Sequence, residues 1–329
     1  TWTLQQYLKA DNVAAGDKFG LSVSITSGSY GAYYKNKLIA VGAPYEDSTS
    51  SGGDNNNLTN SGAVYLFEPS SPSQWGRSHN PRLKALNADS NDLFGQAVSL
   101  DNETLAVGAP GESSNANTIL TNADGNNSLV NAGAVYVYTR SGTSWSQQAY
   151  IKAANAGHTD GFGKQISLSD DTLAVMAPRE SSNQTTITNG TSASSNNICS
   201  RSSVVCDKER SGAIYVYKRS GTSWAQEAYI KATNSKTDNG GNGSLSLDGD
   251  TLAVGTPAED SNQTTITNGT STSSDNSNSG SGAVYVYKRS GTTWAQESYI
   301  KTINNDTGGD LFGISVSLDG DTLAVGAVG

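Results

Sequence analysis

The chain has 329 residues and a formal net charge of −9, with only 16% of residues charged. That balance excludes a general nucleic-acid binder, because no basic stripe is present to neutralise phosphates, and it argues against anionic membrane surfaces for the same reason. Its polarity comes from Ser, Thr, Asn and 36 Gly; its apolar runs are far too short for a membrane-spanning helix. The chain begins at Thr1 with no recognisable signal peptide, so a processed or fragmentary chain is expected.

Residues 2–9, with Trp2, read as the outermost strand of a blade. Residues 10–85 hold the first period: Phe19-Gly20 opens a strand, LIAVGAP (38–44) forms a second, and a polar loop covers roughly 45–60. SGAVYL from Ser61 starts a third strand, and Trp75 marks a fourth in a form that departs from the later copies. Residues 86–153 repeat the order with Phe94-Gly95, TLAVGAP (104–110), a loop over 111–130, AGAVYVY from Ala132 and Trp145. Residues 154–232 follow with Phe162-Gly163, TLAVMAP (172–178), a loop over 179–210, SGAIYVY from Ser211 and Trp224. Residues 233–302 carry Gly241-Asn242 where Phe-Gly is expected, then TLAVGTP (251–257), a loop over 258–280, SGAVYVY from Ser281 and Trp294. Residues 303–329 carry Phe312-Gly313 and TLAVGAV (322–328) without a further GAVYVY strand.

These runs are short, rich in β-branched and aromatic residues, and bounded by Gly, Asn, Asp and Ser, which is strand chemistry. Val and Tyr alternate in GAVYVY, giving one aliphatic and one aromatic face. LAV is apolar on both faces, as in a strand covered on both sides. Asp248-Gly249 and Asp319-Gly320 suit tight hairpins with positive φ. RSGTS and RSGTT supply a second set of short turns. Each period therefore predicts four antiparallel strands, and tandem sheets of about 70 residues predict an all-β propeller whose blades bury each other's faces. About five blades are visible, the last incomplete. The expectation is part of a longer propeller; a strand from another chain, or an imperfect five-bladed ring, are the alternatives, since open edges are hazardous.

Phe-Gly followed by Gly-Ala-Pro, in several copies in register, resembles the FG-GAP repeat of bacterial propeller proteins and is similar to the propeller of integrin α subunits. The resemblance covers essentially the whole chain. It implies four-stranded blades, an extracellular or cell-surface setting, and adhesion or ligand binding rather than catalysis. Integrin-type blades often carry a D-x-D-x-D-G-x-x-D calcium loop. Here the matching turns, such as Asp101-Asn102-Glu103, are too short for the six to eight oxygens that calcium takes. Calcium stays possible as a cofactor, and no other is expected.

Two sets of acids recur. Glu46, Asp47, Glu112, Glu180, Glu259 and Asp260 open the loops after GAP, and Asp17, Asp92, Asp160 and Asp310 precede Phe-Gly. The first set are candidate ligand residues and the second candidate metal ligands. Both compete with a structural reading in which carboxylates accept backbone N–H bonds and fix loops. The long loops themselves are the candidate binding face, because structureless segments of that length are usually functional or disordered. Cys199 and Cys206 suit a small disulfide in a secreted polar loop. Asn57, Asn126, Asn183, Asn189, Asn262 and Asn268 lie in N-x-[ST] sequons open to glycosylation in a host that performs it. His79 and His158 have no catalytic partner by motif. The expected role is non-enzymatic adhesion or recognition of a protein or glycan ligand through the long-loop face. The alternatives are a subunit of an extracellular filament or surface layer, whose partners are copies of itself, and a carbohydrate-binding lectin.

Overall fold

The computed structural model describes all residues except 1–3, 5, 13, 27–36, 50–55, 72–73, 195–209, 237–242, 305–308 and 329. Two compact units are present, Thr1–Lys152 and Ala153–Gly329. Among the described residues there is no helix, and none long and apolar enough to cross a membrane.

The first unit holds two antiparallel sheets. β1 (Ser22–Thr26), β2 (Leu38–Ala43), β3 (Ala63–Ser71) and β4 (Gln74–Leu83) pair in sequence order. The next blade contains β5 (Ala97–Asp101), β6 (Thr104–Ala109), β7 (Ile119–Leu120), β8 (Ala134–Ser141) and β9 (Ser144–Ile151), in the order β5-β6-β8-β9-β7.

The second unit repeats that order twice. One sheet holds β10 (Gln165–Ser169), β11 (Thr172–Ala177), β12 (Ile187–Asn189), β13 (Ala213–Ser220) and β14 (Ser223–Ile230). The next holds β15 (Ser244–Asp248), β16 (Thr251–Thr256), β17 (Ile266–Asn268), β18 (Ala283–Ser290) and β19 (Thr293–Ile300). β20 (Ser315–Asp319) and β21 (Thr322–Gly326) form a two-stranded sheet. These are the blades expected from the repeats, and no sheet closes on itself.

Local chemistry explains the strands. The LAV strands β6 and β11 are buried along their whole length, as two-sided cover requires. The first hairpin of each later blade turns on two residues, Asp248 pairing with Thr251 and Asp319 with Thr322. Gly249 and Gly320 take φ of 54° there, and Asn102 and Asp170 take 50° in the sister turns. Val–Tyr alternation sends Tyr136 and Tyr138 to one face, where Phe94 meets them edge-on at 5.2 and 6.3 Å.

Two expectations need correction. Of the strand expected over 2–9, the described residues Leu4 and 6–9 are not in a strand. The loops after GAP were expected to be structureless, yet in three blades each contains a short fifth strand, β7, β12 or β17, on the free edge of the outermost strand. Ile187 pairs with Ile230, Thr188 with Tyr229 and Asn189 with Ala228. Ile-Thr-Asn carries two β-branched residues, enough to extend a ladder already in place but too few to stand out in a polar loop.

Neighbouring blades are joined through the Phe-Gly turn. Phe94 donates its N–H to Ser61 O at 3.1 Å, and Gly95 N–H bonds Gly108 O at 3.0 Å. A Cβ on Gly62 would lie 2.1 Å from Phe94 O, and one on Gly42 would lie 2.1 Å from Gly95 O. The glycines of the SGAVY and GAP motifs are therefore the places where the next blade's backbone passes. Serines on the first strands complete the seam. Ser24 Oγ accepts the Leu100 N–H at 2.9 Å, Ser167 Oγ that of Leu247 at 3.0 Å, and Ser246 Oγ that of Leu318 at 3.0 Å.

Candidate functional site

The strand of each GAP motif ends in a tight turn, with Glu112 N–H bonding Ala109 O at 3.2 Å and Glu259 N–H bonding Thr256 O at 3.1 Å. That turn swings the glutamate of the loop inward, not toward solvent. Glu46, Glu112, Glu180 and Glu259 are each at most 1% exposed. Each meets the lysine that follows the outermost strand of its own blade. Lys84 reaches Glu46 at 2.8 Å, Lys152 reaches Glu112 at 2.6 Å, Lys231 reaches Glu180 at 2.7 Å and Lys301 reaches Glu259 at 2.7 Å. In the first blade Arg82 adds a second cation at 3.4 Å from Glu46.

A third partner comes from the segment that leads from one outermost strand into the next blade. An asparagine stands three residues beyond each of these lysines, and also beyond Lys9. It donates to the next blade's glutamate: Asn12 to Glu46 at 2.8 Å, Asn87 to Glu112 at 3.2 Å, Asn155 to Glu180 at 3.1 Å and Asn234 to Glu259 at 3.0 Å. Its oxygen in turn accepts a tyrosine hydroxyl from that blade, Tyr136 on Asn87 at 2.7 Å and Tyr215 on Asn155 at 2.6 Å. The same amides pin the long loops by donating to Asp124 O at 2.9 Å, Ser194 O at 2.7 Å and Ser273 O at 3.0 Å. One Lys-x-x-Asn element thus closes its own blade with the lysine and the next with the asparagine.

The electrostatics follow from burial. Burial opposes ionisation of Glu46, but hydrogen bonds from Lys84 and Ser48 and the charges of Lys84 and Arg82 outweigh it, holding the carboxyl below its usual range. Burial lowers Lys84, Lys152 and Lys301, with the glutamate charge working against it in each case.

Asp47 and Asp260 tie the loops at their bases. Asp47 Oδ1 accepts the Asn60 N–H at 2.7 Å, and Asp260 Oδ1 accepts that of Gly280 at 2.7 Å. Lys236 pairs with Asp260. Ser113 and Ser181 hold the same place in the other two loops, accepting from Asn131 and Arg210 at 3.1 Å.

Asp17, Asp92 and Asp160 each cap a turn three residues back, accepting from Ala14 at 3.0 Å, Asp89 at 2.8 Å and Gly157 at 2.8 Å. Asp310 accepts the Val328 N–H at its carbonyl, at 2.9 Å. The two acid sets do converge. Gly111 N–H bonds Asp92 O at 3.1 Å, and Arg179 N–H bonds Asp160 O at 3.2 Å. Burial, helped by the negative charges of Glu112 and Asp89, pushes the Asp92 carboxyl up to about 7. Among the described residues no group of three or more His, Cys, Asp or Glu could hold a metal ion.

Asn57, Asn126, Asn183, Asn189, Asn262 and Asn268 are all exposed. Asn189 differs in being bound at both ends of its amide: Trp294 N–H donates to its oxygen at 2.8 Å and its nitrogen donates to Trp294 O at 3.3 Å. A glycan on that nitrogen would displace the second bond. Cys199 and Cys206 lie outside the described residues.

The lysines and asparagines were not singled out from sequence. The signal was available, because Lys9, Lys84, Lys152, Lys231 and Lys301 each precede an asparagine by three.

A model of the FG-GAP repeat matches residues 2–67, 78–138, 145–192 and 294–329, more than half of the chain. The unmatched stretch 193–293 includes Gly241-Asn242, where the Phe-Gly pair is lost. A search of curated proteins found no match. Proteins built from this repeat are typically extracellular or surface proteins and generally non-enzymatic. By its repeats and its blades, the chain belongs to the FG-GAP repeat family.

Proposed function

We propose that this chain is a non-enzymatic extracellular or cell-surface module that recognises a protein or glycan through the loops following GAP. The observation that carries this reading is the way each loop is held. Its glutamate is locked to a buried lysine and its far end is tied back to its start, while described loop residues such as Asn126, Asn189 and Asn268 are exposed. Rigid bases with displayed polar tips are what binding loops on a scaffold require. In the third and fourth blades the loops carry the same set, Gln184, Thr186 and Thr188 in one and Gln263, Thr265 and Thr267 in the other, with Thr188 and Thr267 on the edge strands β12 and β17.

The test is capture of extracellular-matrix proteins and glycans by the immobilised chain, beside a variant with Thr186, Thr188, Thr265 and Thr267 changed to Glu. Saturable binding that the variant loses supports the reading. Binding that the variant retains, or no binding to either panel, counts against it.

A second reading, assembly with copies of itself, has one observation in its favour. Val23 and Ile25 on β1 are 59% and 62% exposed, whereas the matching Val98 and Leu100 on β5 are 8% and 6% exposed. Light scattering on the chain and on Val23→Lys/Ile25→Lys separates the two. A concentration-dependent oligomer lost in the variant favours assembly, and a monomer removes it.

A further inference from the structure

The outer edge of the third blade is covered by a hairpin of the fourth. On β12, Asn189 accepts the Trp294 N–H at 2.8 Å and donates to Trp294 O at 3.3 Å. On β14, the Glu227 carboxylate accepts the Trp294 indole N–H at 2.9 Å and the Arg289 guanidinium at 3.3 Å. The same guanidinium donates to Thr172 on β11 at 3.1 Å. Ile187, also on β12, packs against the apolar cluster that holds Trp294. Four side chains of one blade thus meet one feature of the next, an arginine and a tryptophan five residues apart across the β18–β19 turn.

The polar parts of this contact recur in the first unit. Gln6 holds the main chain of Trp75 as Asn189 holds that of Trp294, accepting its N–H at 2.6 Å and donating to its carbonyl at 2.9 Å. Arg140, at the β8–β9 turn, meets Glu68 on β3 of the blade before it at 2.6 Å.

The fourth blade carries the same receptor. Ile266, Asn268, Glu297 and Thr251 stand where the third has Ile187, Asn189, Glu227 and Thr172. Their frame is the same. Ile266 pairs with Ile300 as Ile187 pairs with Ile230. Gly269 N–H bonds Glu297 O at 2.6 Å, and Gly190 N–H bonds Glu227 O at 2.6 Å. Gln263 braces Thr267 at 2.6 Å, and Gln184 braces Thr188 at 2.7 Å.

The difference is in the cover. Ile266 is 62% exposed, and Asn268 and Glu297 are exposed as well. The Asn268 oxygen accepts the Ser298 hydroxyl at 3.0 Å, which leaves a second lone pair for a main-chain N–H. The Glu297 carboxylate favours an arginine above it, as Glu227 does. A strand edge with such groups on display is a template for strand addition. The chain has three hairpins of the R-S-G-T-x-W form, at 140–145, 219–224 and 289–294. Their tryptophans Trp145, Trp224 and Trp294 are all buried in place, so the cover that suits the fourth blade is a further hairpin of that form.

We propose that Ile266, Asn268, Glu297 and Thr251 form a docking site for the outermost hairpin of a blade in a second FG-GAP repeat chain, with the tryptophan main chain on Asn268 and the arginine on Glu297. The site does not rest on binding by the exposed loops, because Glu297 and Thr251 lie on strands outside them.

The test is titration of the synthetic peptide of residues 288–298 into the 15N-labelled chain, followed by NMR. The side-chain amide signal of Asn268 should move saturably, while that of Asn189, already bonded to Trp294, should stay in place. Trp294→Ala or Arg289→Ala in the peptide should each weaken binding about tenfold or more. Glu297→Gln in the chain should weaken it by a similar factor, and should add little to the loss from Arg289→Ala in the peptide, because both remove one contact. An Asn268 signal that the peptide leaves unmoved overturns the proposal. So does full additivity of the Glu297→Gln and Arg289→Ala losses, which would place the arginine elsewhere. Neither result depends on the matrix and glycan panels, so this site and the loop reading fail separately.

Discussion

Replacing Lys231 by Met asks what one of the buried ion pairs contributes. Lys231 and Glu180 side chains are both 0% exposed and meet at 2.7 Å. Met is close to Lys in length and apolar, so the cavity term is small and the change isolates the lost charge. Glu180 would keep the Asn155 amide at 3.1 Å, the Ser182 N–H at 3.1 Å and the Ser182 hydroxyl at 3.2 Å, but no cation. Breaking a buried pair on one side costs about 3–5 kcal/mol, which lowers the folding constant by roughly two to four orders of magnitude. The double variant Glu180→Gln/Lys231→Met removes both charges and keeps an acceptor for Asn155 and Ser182. It should lie within about 2 kcal/mol of the wild type, since neutral replacements of buried pairs are often close to neutral in effect. Urea denaturation followed by tryptophan fluorescence reads all three proteins. A single variant that loses less than about 1 kcal/mol, or a double variant less stable than the single, would refute the reasoning.

Three further predictions follow from the seams between blades and from Asp92. Gly282→Ala places a Cβ 2.1 Å from Phe312 O at a φ of +81°. Gly320→Ala has a φ of +54° but open space around it. Melting curves should show Gly282→Ala losing about 2 kcal/mol or more and Gly320→Ala about 1. Asn234→Ala removes the donor to Glu259 at 3.0 Å and the acceptor of Tyr285 at 2.5 Å. A loss of about 1–3 kcal/mol in urea is expected, and an unchanged midpoint would rule out that bridging role. The Asp92 carboxyl, raised by burial from an ordinary 3.8 to about 7, keeps its proton in the folded chain after the unfolded chain has released it. Its contribution to stability is full below about pH 4 and is lost as pH rises to about 7, by up to about 4 kcal/mol. Asp92→Asn should flatten that part of the stability–pH curve, and an unaltered slope would assign it elsewhere.

The strands and hairpins were legible because repetition made each motif its own control. TLAVGAP, GAVYVY and Asp-Gly recur at matching offsets, and each signals a covered strand, an alternating strand or a tight turn by local chemistry alone. The glutamates were legible as a recurring set, but not as ion pairs. Their lysines lie 38, 40, 51 and 42 residues away, because the loops between them differ in length. No fixed spacing links the two, and only the folded blade brings them together. The asparagines were more accessible, since Asn87, Asn155 and Asn234 each stand 25 residues before their glutamate. β12 and β17 escaped notice because three residues on a sheet edge have no periodicity of their own. The loss at Gly241 was visible as a broken motif.

Amine acetylation of the native chain, read by peptide mass spectrometry, tests most directly whether the lysines at the blade ends are consumed inside the fold. Lys9 belongs to the same Lys-x-x-Asn pattern but is exposed, as is Lys288, so both serve as internal references. Lys84, Lys152, Lys231 and Lys301 should stay unmodified until the protein unfolds, while Lys9 and Lys288 react at once. Modification of any of the four at the rate of Lys288 would contradict a buried glutamate–lysine pair in that blade.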